Sequence, residues 1–333
     1  MLNTMNYQQI IKALAGKKIL VIGDLILDRY LFGKVSRISP EAPVPIVDVI
    51  SESFLLGGAA NVASNVVALG GHATVAGIIG RGAAGQVLHG LLTDRGIATD
   101  GVFEDKRPTT VKTRVIAHNQ QVVRFDREDR SRIEGKSLTA LLAFLKKAVP
   151  AHDAVIISDY KKGVISAALV AAVVTHAKRN TTFVAVDPKV GHFHFYRKVS
   201  LITPNLMEAS QGAGIEIRDE QSLLKAGRTL IARLGCASVL ITRSEEGMSL
   251  FKKLPGSRGV AVEHFPTVAK KVYDVTGAGD TVIATFALSY AAGATLEQAA
   301  VIANHAAGIV VAEVGTATAS SAQLLSALKN SDI

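Results

Sequence analysis

Lys18-Ile19-Leu20-Val21-Ile22-Gly23-Asp24 is an apolar run that stops at a carboxylate. A short, unbroken apolar run suits a strand buried on both faces, the environment of a parallel sheet covered by helices. The pattern recurs in Ala154-Val155-Ile156-Ile157-Ser158-Asp159-Tyr160, Phe183-Val184-Ala185-Val186-Asp187, Leu201-Ile202-Thr203-Pro204-Asn205 and Ser238-Val239-Leu240-Ile241-Thr242, with helix-length segments between them. Strands that deliver polar groups to one sheet edge predict an α/β fold: a doubly wound parallel sheet with helices on both faces. Ligands of such sheets gather outside the carboxyl ends of the strands, so Asp24 and nearby Asp28 are placed to meet one.

Two stretches depart from this rhythm. Tyr30 to Phe54 is built of short alternating segments with Pro40, Pro43 and Pro45, which reads as extended chain. Thr109 to Ala117 and Val122 to Asp126, joined by a turn at His118-Asn119-Gln120-Gln121, read as a hairpin. The inserts, at about 30–55 and 107–127, predict a small β-sheet lid on a single domain spanning 1–333; surface hairpins without a role are the alternative. Between them, Gly57-Gly58 leads into a helical run with Asn61, where close backbone approach and an amide could serve a ligand or close packing equally. Leu250 to Tyr273 is β-like and interrupted at Pro255-Gly256, and the last third is alanine-rich helix.

The formal charge of +9 raises the question of nucleic acid, but the cations are scattered, and there is no Trp and no zinc-ligand spacing. Anionic small molecules account for the charge as well. G-x-G-x-x-G is absent, which argues against a dinucleotide enzyme. The single Cys236 excludes an internal disulfide framework, and no signal peptide or long apolar span is visible. The expectation is a cytoplasmic protein with no membrane or nucleic-acid partner.

Near the end stands Asp274-Val275-Thr276-Gly277-Ala278-Gly279-Asp280-Thr281, followed by small apolar residues at helical spacing. A glycine turn opening a helix presents unpaired N–H groups and the positive end of the helix dipole to an anion. Asp280 beside it could cap the helix, or could take the proton of a hydroxyl attacking a phosphoryl group.

In this order and separation, the diglycine-to-Asn61 segment and the Asp274–Asp280 segment resemble the two signatures of the ribokinase-like (PfkB) family of sugar kinases. The resemblance implies ATP and Mg²⁺ as cofactors, an anion hole at Gly277, Ala278 and Gly279, and Asp280 as catalytic base. Pro204-Asn205-Leu206-Met207-Glu208 matches the family's P-N-x-x-E element, so Asn205 and Glu208 inherit the placing of magnesium and phosphate. Thr242, Ser244, Gly247 and Asn304 are the implied nucleotide-side residues, and a monovalent cation near the glycine turn stays open. Val190-Gly191-His192 and His305 depart from the family pattern.

Ser36-Arg37-Ile38-Ser39-Pro40-Glu41-Ala42-Pro43-Val44-Pro45, with Gly23-Asp24 through Tyr30 and Ser158 to Gly163, narrows the likeness. It resembles the bacterial heptose-phosphate kinases, the kinase half of ADP-heptose synthase. This implies phosphorylation of D-glycero-D-manno-heptose 7-phosphate at C1, a step towards the lipopolysaccharide core. The adenylyl-transfer motif H-x-G-H is not found before Ile333, so that step is expected of another polypeptide. A substrate already carrying phosphate calls for cations, for which Lys112, Arg114, Arg124 and Lys162 are candidates. Asp24, Asp28, Gly57, Gly58 and Asn61 are expected at the sugar. Apolar Val44, Ile46 and Val47 on the lid imply a homodimer formed lid to lid. A related kinase for another sugar or nucleoside, or a sugar-binding regulator without catalysis, are the competing readings.

Overall fold

Side chains along strand β1 (Lys18–Gly23) alternate between two cores. Ile19 and Val21 join one layer of buried residues, and Leu20 and Ile22 the other. That is why the run carries no polar position before its tip. The computed structural model describes residues 6–329 except Asn119, Pro255, Arg258, Lys270, Val314 and Thr316. The Asn119 position of the predicted turn and the Pro255 interruption therefore lie outside the described residues.

The chain passes from helix α1 (Tyr7–Ala13) through β1 into a long hairpin, β2 (Leu25–Ile38) and β3 (Pro45–Gly58), and returns along α2 (Ala59–Ala68). There follow β4 (His72–Gly80), α3 (Ala83–Asp94) and β5 (Ala98–Asp105), then a second hairpin of β6 (Thr110–Ala117) and β7 (Gln120–Arg127). Next come α4 (Gly135–Ala148), β8 (Ala154–Ser158), α5 (Ala167–Asn180), β9 (Phe183–Asp187) and β10 (Leu201–Ile202). Helices α6 (Leu206–Ala213) and α7 (Glu220–Leu234) lead to β11 (Ser238–Thr242), β12 (Met248–Lys253) and β13 (Val260–Phe265). Three helices close the chain: α8 (Ala278–Ala291), α9 (Leu296–Val310) and α10 (Ser321–Lys329).

The main sheet has the order β13-β12-β11-β10-β9-β8-β1-β4-β5, parallel from β11 to β5 with an antiparallel pair at the other edge. From β1 the chain first winds outward through β4 and β5. It then returns to β8 on the other flank, so the topological switch point lies between β1 and its neighbours. Helices α2, α8, α9 and α10 cover one face, and α4, α5, α6 and α7 the other. Strands β4 and β5 have no counterpart among the expected strands. Gly77 interrupts the apolar run of β4, and β5 is an edge strand with a mostly polar sequence.

The lid is a separate sheet of order β3-β2-β6-β7. β2 pairs antiparallel with β3 and parallel with β6, and β6 pairs antiparallel with β7. It begins at Leu25, earlier than the expected boundary near residue 30, because β1 passes into β2 across the single residue Asp24.

Candidate active site

Gly277 caps the start of helix α8, and its φ of 82° lies in the left-handed region that glycine occupies without a side-chain clash. The first intrahelical bond runs from the Thr281 N–H to the Gly277 carbonyl, so the N–H groups of Gly279 and Asp280 precede the helical ladder. Asp274 holds the approach to this turn, accepting from the N–H groups of Thr276 at 2.9 Å and Gly315 at 3.0 Å. The turn is thereby a fixed concentration of positive dipole.

Asp280 is 4% exposed. Its Oδ2 accepts from Asn61 Nδ2 at 2.8 Å, and its Oδ1 accepts from the Tyr160 hydroxyl at 2.8 Å. Burial is the main cause that pushes its pKa up to about 6, and Asp28 adds to it; Asn61, Tyr160 and Lys112 pull the other way. Asn61 stands on α2, which packs in the same layer as α8. The two helices are pinned by Thr281 Oγ1 donating to Asn65 Oδ1 at 2.9 Å. The distant glycine segments of the sequence thus meet through Asn61 and Asp280.

Asp28 lies on β2 with its carboxylate bound by Arg114 of β6 at 2.5 Å. Gly57 faces it across the hairpin, where any Cβ would run into Asp28 Oδ2. Gly58 has a φ of 57° and caps α2, and the next N–H, that of Ala59, donates to the Asp24 carbonyl at 3.1 Å. Lys112 has no carboxylate within ion-pair distance among the described residues; its Nζ sits 5.1 Å from the centre of the Tyr160 ring. Burial, with Lys162 and Arg114, lowers its pKa, against the pull of Asp28.

Other candidates sit differently from expectation. The Asp24 carboxylate is turned into the protein, where it accepts from the N–H groups of Tyr160 at 2.9 Å, Lys162 at 3.0 Å and Val164 at 3.2 Å. Burial and the neighbouring Asp159 raise its pKa to about 6 despite these bonds. Asp24 thereby holds the 160–164 loop in place, beside its expected contact with a sugar hydroxyl. Arg124 does not join the group, since β7 is exposed along its length and Arg124 pairs with Asp126 at 3.1 Å. Lys162 is spent on an ion pair with Glu128.

On the other side of the turn, Asn205 and Glu208 form a capping box at the start of α6, each side chain accepting from the other's N–H. Glu208 is also paired with Lys189 at 3.0 Å. Thr242 is brought beside Asn205 by a parallel bridge and donates its N–H to the Pro204 carbonyl at 3.0 Å. Ser244 takes a left-handed φ of 53° in the turn after β11. Gly247 packs against the backbone of Phe265 to Thr267 with no room for a Cβ, and Asn304 Nδ2 donates to the Pro266 carbonyl at 2.7 Å. Gly247 and Asn304 therefore converge on one short segment.

Sequence reasoning did not nominate Tyr160, Asp187 or Lys189. Asp187 ends β9, where burial and the Asp280 and Glu208 carboxylates push its pKa well up. Asp159 ties the loops after β8 and β9 together, accepting from Tyr196 Oη at 2.6 Å and meeting His192 Nδ1 at 2.8 Å. His192, which departs from the family pattern, thereby has a local partner. Each of these residues lies at or just beyond a strand end, the position that the buried-strand pattern marks. Among the described residues, no three His, Cys, Asp or Glu side chains converge as a metal cage, and no helix is long and apolar enough to cross a membrane.

Known proteins share this architecture. Among solved structures, Arabidopsis thaliana ribokinase complexed with ribose and ATP superposes with a TM-score of 0.74 at 20% identity, covering 95% of this chain and 100% of that one. Escherichia coli phosphofructokinase-2 gives 0.76 at 19%, covering 95% and 99%. In sequence, the chain is 47% identical over 310 residues to the bifunctional protein HldE of Geobacter metallireducens, covering 93% of this chain and 62% of that protein. It is 44% identical to the HldE of Wolinella succinogenes, covering 94% and 65%. The chain thus spans a little under two thirds of these curated relatives. Residues 16–323 match the pfkB family carbohydrate kinase model, which takes in both the Gly57–Asn61 segment and the Asp280 turn, and the chain belongs to that family.

Proposed function

We propose that this chain transfers the γ-phosphoryl group of ATP to the C1 hydroxyl of D-glycero-D-manno-heptose 7-phosphate, giving the 1,7-bisphosphate. The observation that carries the reading is Asp280, a buried carboxylate held at two oxygens beside the open N-terminus of α8. A base there takes the sugar proton as the hydroxyl attacks, a contribution of about 10²–10⁴-fold. The N–H groups at the turn stabilise charge on the transferring group. Identity to HldE proteins across most of the chain supports the heptose assignment, as does the Ser36–Pro45 string.

Asp28, with Arg114 behind it and Gly57 giving it room, accepts sugar hydroxyls in this reading. Lys112, which has no carboxylate partner among the described residues, is the cation for the phosphate already on the substrate. Arg124 and Lys162 contribute from the rim, each at the cost of its present ion pair. Asn205, Glu208, Thr242, Ser244, Gly247 and Asn304 form the nucleotide side. Asp187 and Glu208 lie close enough for their charges to interact, a pair of carboxylates that suits a hard divalent cation accompanying ATP. Mg²⁺ would neutralise phosphate charge there. Both Glu208 oxygens already hold partners, so we assign Glu208 to orienting the metal's water shell. The enzyme would work in the cytoplasm as a homodimer joined through the lids.

Incubation with Mg-ATP and the heptose 7-phosphate, followed by phosphorus NMR, tests the assignment. A second phosphate resonance at C1 is expected. ADP release only with another sugar would make it a PfkB kinase of different specificity, and no ADP with any sugar phosphate would favour a regulator.

A further inference from the structure

A carboxylate that serves as base must be ionised at working pH and must keep a lone pair aimed at the hydroxyl. Burial works against the first requirement at Asp280, and so does the charge of Asp28 on β2; Asp187 on β9 also faces it, and there the Asp280 charge pushes the Asp187 pKa up. Three groups favour the ionised form: the Asn61 amide on α2, the Tyr160 hydroxyl after β8, and the Lys112 ammonium on β6. Asn61 stands on α2, which follows directly on lid strand β3 and packs in the same helical layer as α8.

Tyr160 is different. Its backbone N–H is held by Asp24 at 2.9 Å and its hydroxyl donates to Asp280 at 2.8 Å, while its ring lies under Lys112 of the lid. The phenol's own pKa is raised, chiefly by burial, so it stays a donor at any pH where the protein works. A cation over an aromatic face is attracted to it, with the site withdrawn from water strengthening the contact.

We propose that Tyr160 is the positioning residue for the base: its hydroxyl keeps Asp280 ionised and aimed, and Lys112 on its ring couples the lid to that charge state. The inference rests on the reading of Asp280 as base. The transferred proton comes from the sugar hydroxyl and goes to Asp280, and Tyr160 keeps its own proton throughout.

Tyr160→Phe keeps the ring and removes only the hydroxyl. We expect kcat to fall about tenfold and the acidic limb of kcat/KM to move up by about one pH unit, the size of one hydrogen bond to a charged group. Lys112→Met should move the limb the same way with the hydroxyl intact, and it remains informative if Tyr160→Phe folds poorly. Titration of ¹³C-labelled Asp carboxyls, with the Asp280 signal identified by its loss in Asp280→Asn, reads the same midpoint without substrate. That measurement does not depend on which sugar is phosphorylated. An Asp280 midpoint unmoved by both variants overturns the proposal. A midpoint that moves while the pH–rate limb stays put overturns the base assignment instead and leaves the hydrogen bond standing.

Discussion

The carboxylate of Asp28 occupies the space that a side chain at Gly57 would fill. The two residues sit across the lid hairpin near its base, and the clash would fall on Asp28 Oδ2, the end of a side chain and not backbone. Gly57→Ala should therefore spare the fold and displace Asp28 from Arg114. With a charged hydrogen bond to the sugar worth about 1.5–3 kcal/mol, KM for the sugar should rise about tenfold or more while KM for ATP holds. Equal changes in both constants would remove Asp28 from the sugar side.

Asp280→Asn replaces the proposed base by an amide of the same shape. We expect kcat to fall by about 10²–10⁴, with circular dichroism and melting showing an intact fold. Turnover within a few-fold of the parent would mean that another group takes the proton.

The pKa of about 6 at Asp280 fixes two opposite pH effects. Activity should rise with pH through about 6, as the base becomes ionised. Stability should change the other way, because the folded pKa lies above the unfolded value of 3.8. As pH falls through 6 the folded protein takes up a proton that the unfolded chain binds only near 3.8, so this contribution grows between those limits, to about 3 kcal/mol at most. Asp24 behaves alike, and half-buried His152, with its lowered pKa, opposes it. Denaturant unfolding of the parent against Asp280→Asn at pH 8 and pH 5 isolates the Asp280 part. The parent should gain on the variant at pH 5, and a constant difference would contradict the raised pKa.

Apolar side chains stand in solvent on the lid, among them Ile50 at 66% and Phe125 at 52% exposure. Val44 is exposed as well, and Ile46 and Val47 are half-buried. β7 is also an edge strand with its outer row of backbone groups unpaired by the sheet. Sedimentation velocity at micromolar concentration should give a dimer, and Phe125→Asp should shift it to monomer. A parent that sediments as a monomer would rule out lid pairing.

The main sheet was readable because strands buried on both faces leave runs such as Val155-Ile156-Ile157 that a surface strand would not carry. The Asp280 turn was readable because a left-handed residue before a helix calls for glycine, and Gly277 has that geometry. What the sequence withheld depends on direction. Asp24 and Asp28 stand on the same stretch, yet one carboxylate faces loop N–H groups and the other faces Arg114. Arg114 and Arg124 lie opposite each other on paired strands, but β7 closes the sheet and leaves Arg124 to solvent. Tyr160 stands just past the end of β8, and its bond to Asp280 joins positions 120 residues apart. No local pattern encodes such a contact.

Both long lid strands leave the body at one corner, where Gly58 bends sharply and the Ala59 N–H holds the Asp24 carbonyl. Seen as a lever, the hairpin has its fulcrum there. Asp28 lies about 10 Å along the arm, and the far end up to about 40 Å, at roughly 3.3 Å per residue. A swing of about a tenth of a radian then carries the tip by about 4 Å and Asp28 by only about 1 Å. Whatever grips the tip of such an arm gains mechanical advantage over its swing, while Asp28 near the fulcrum barely moves.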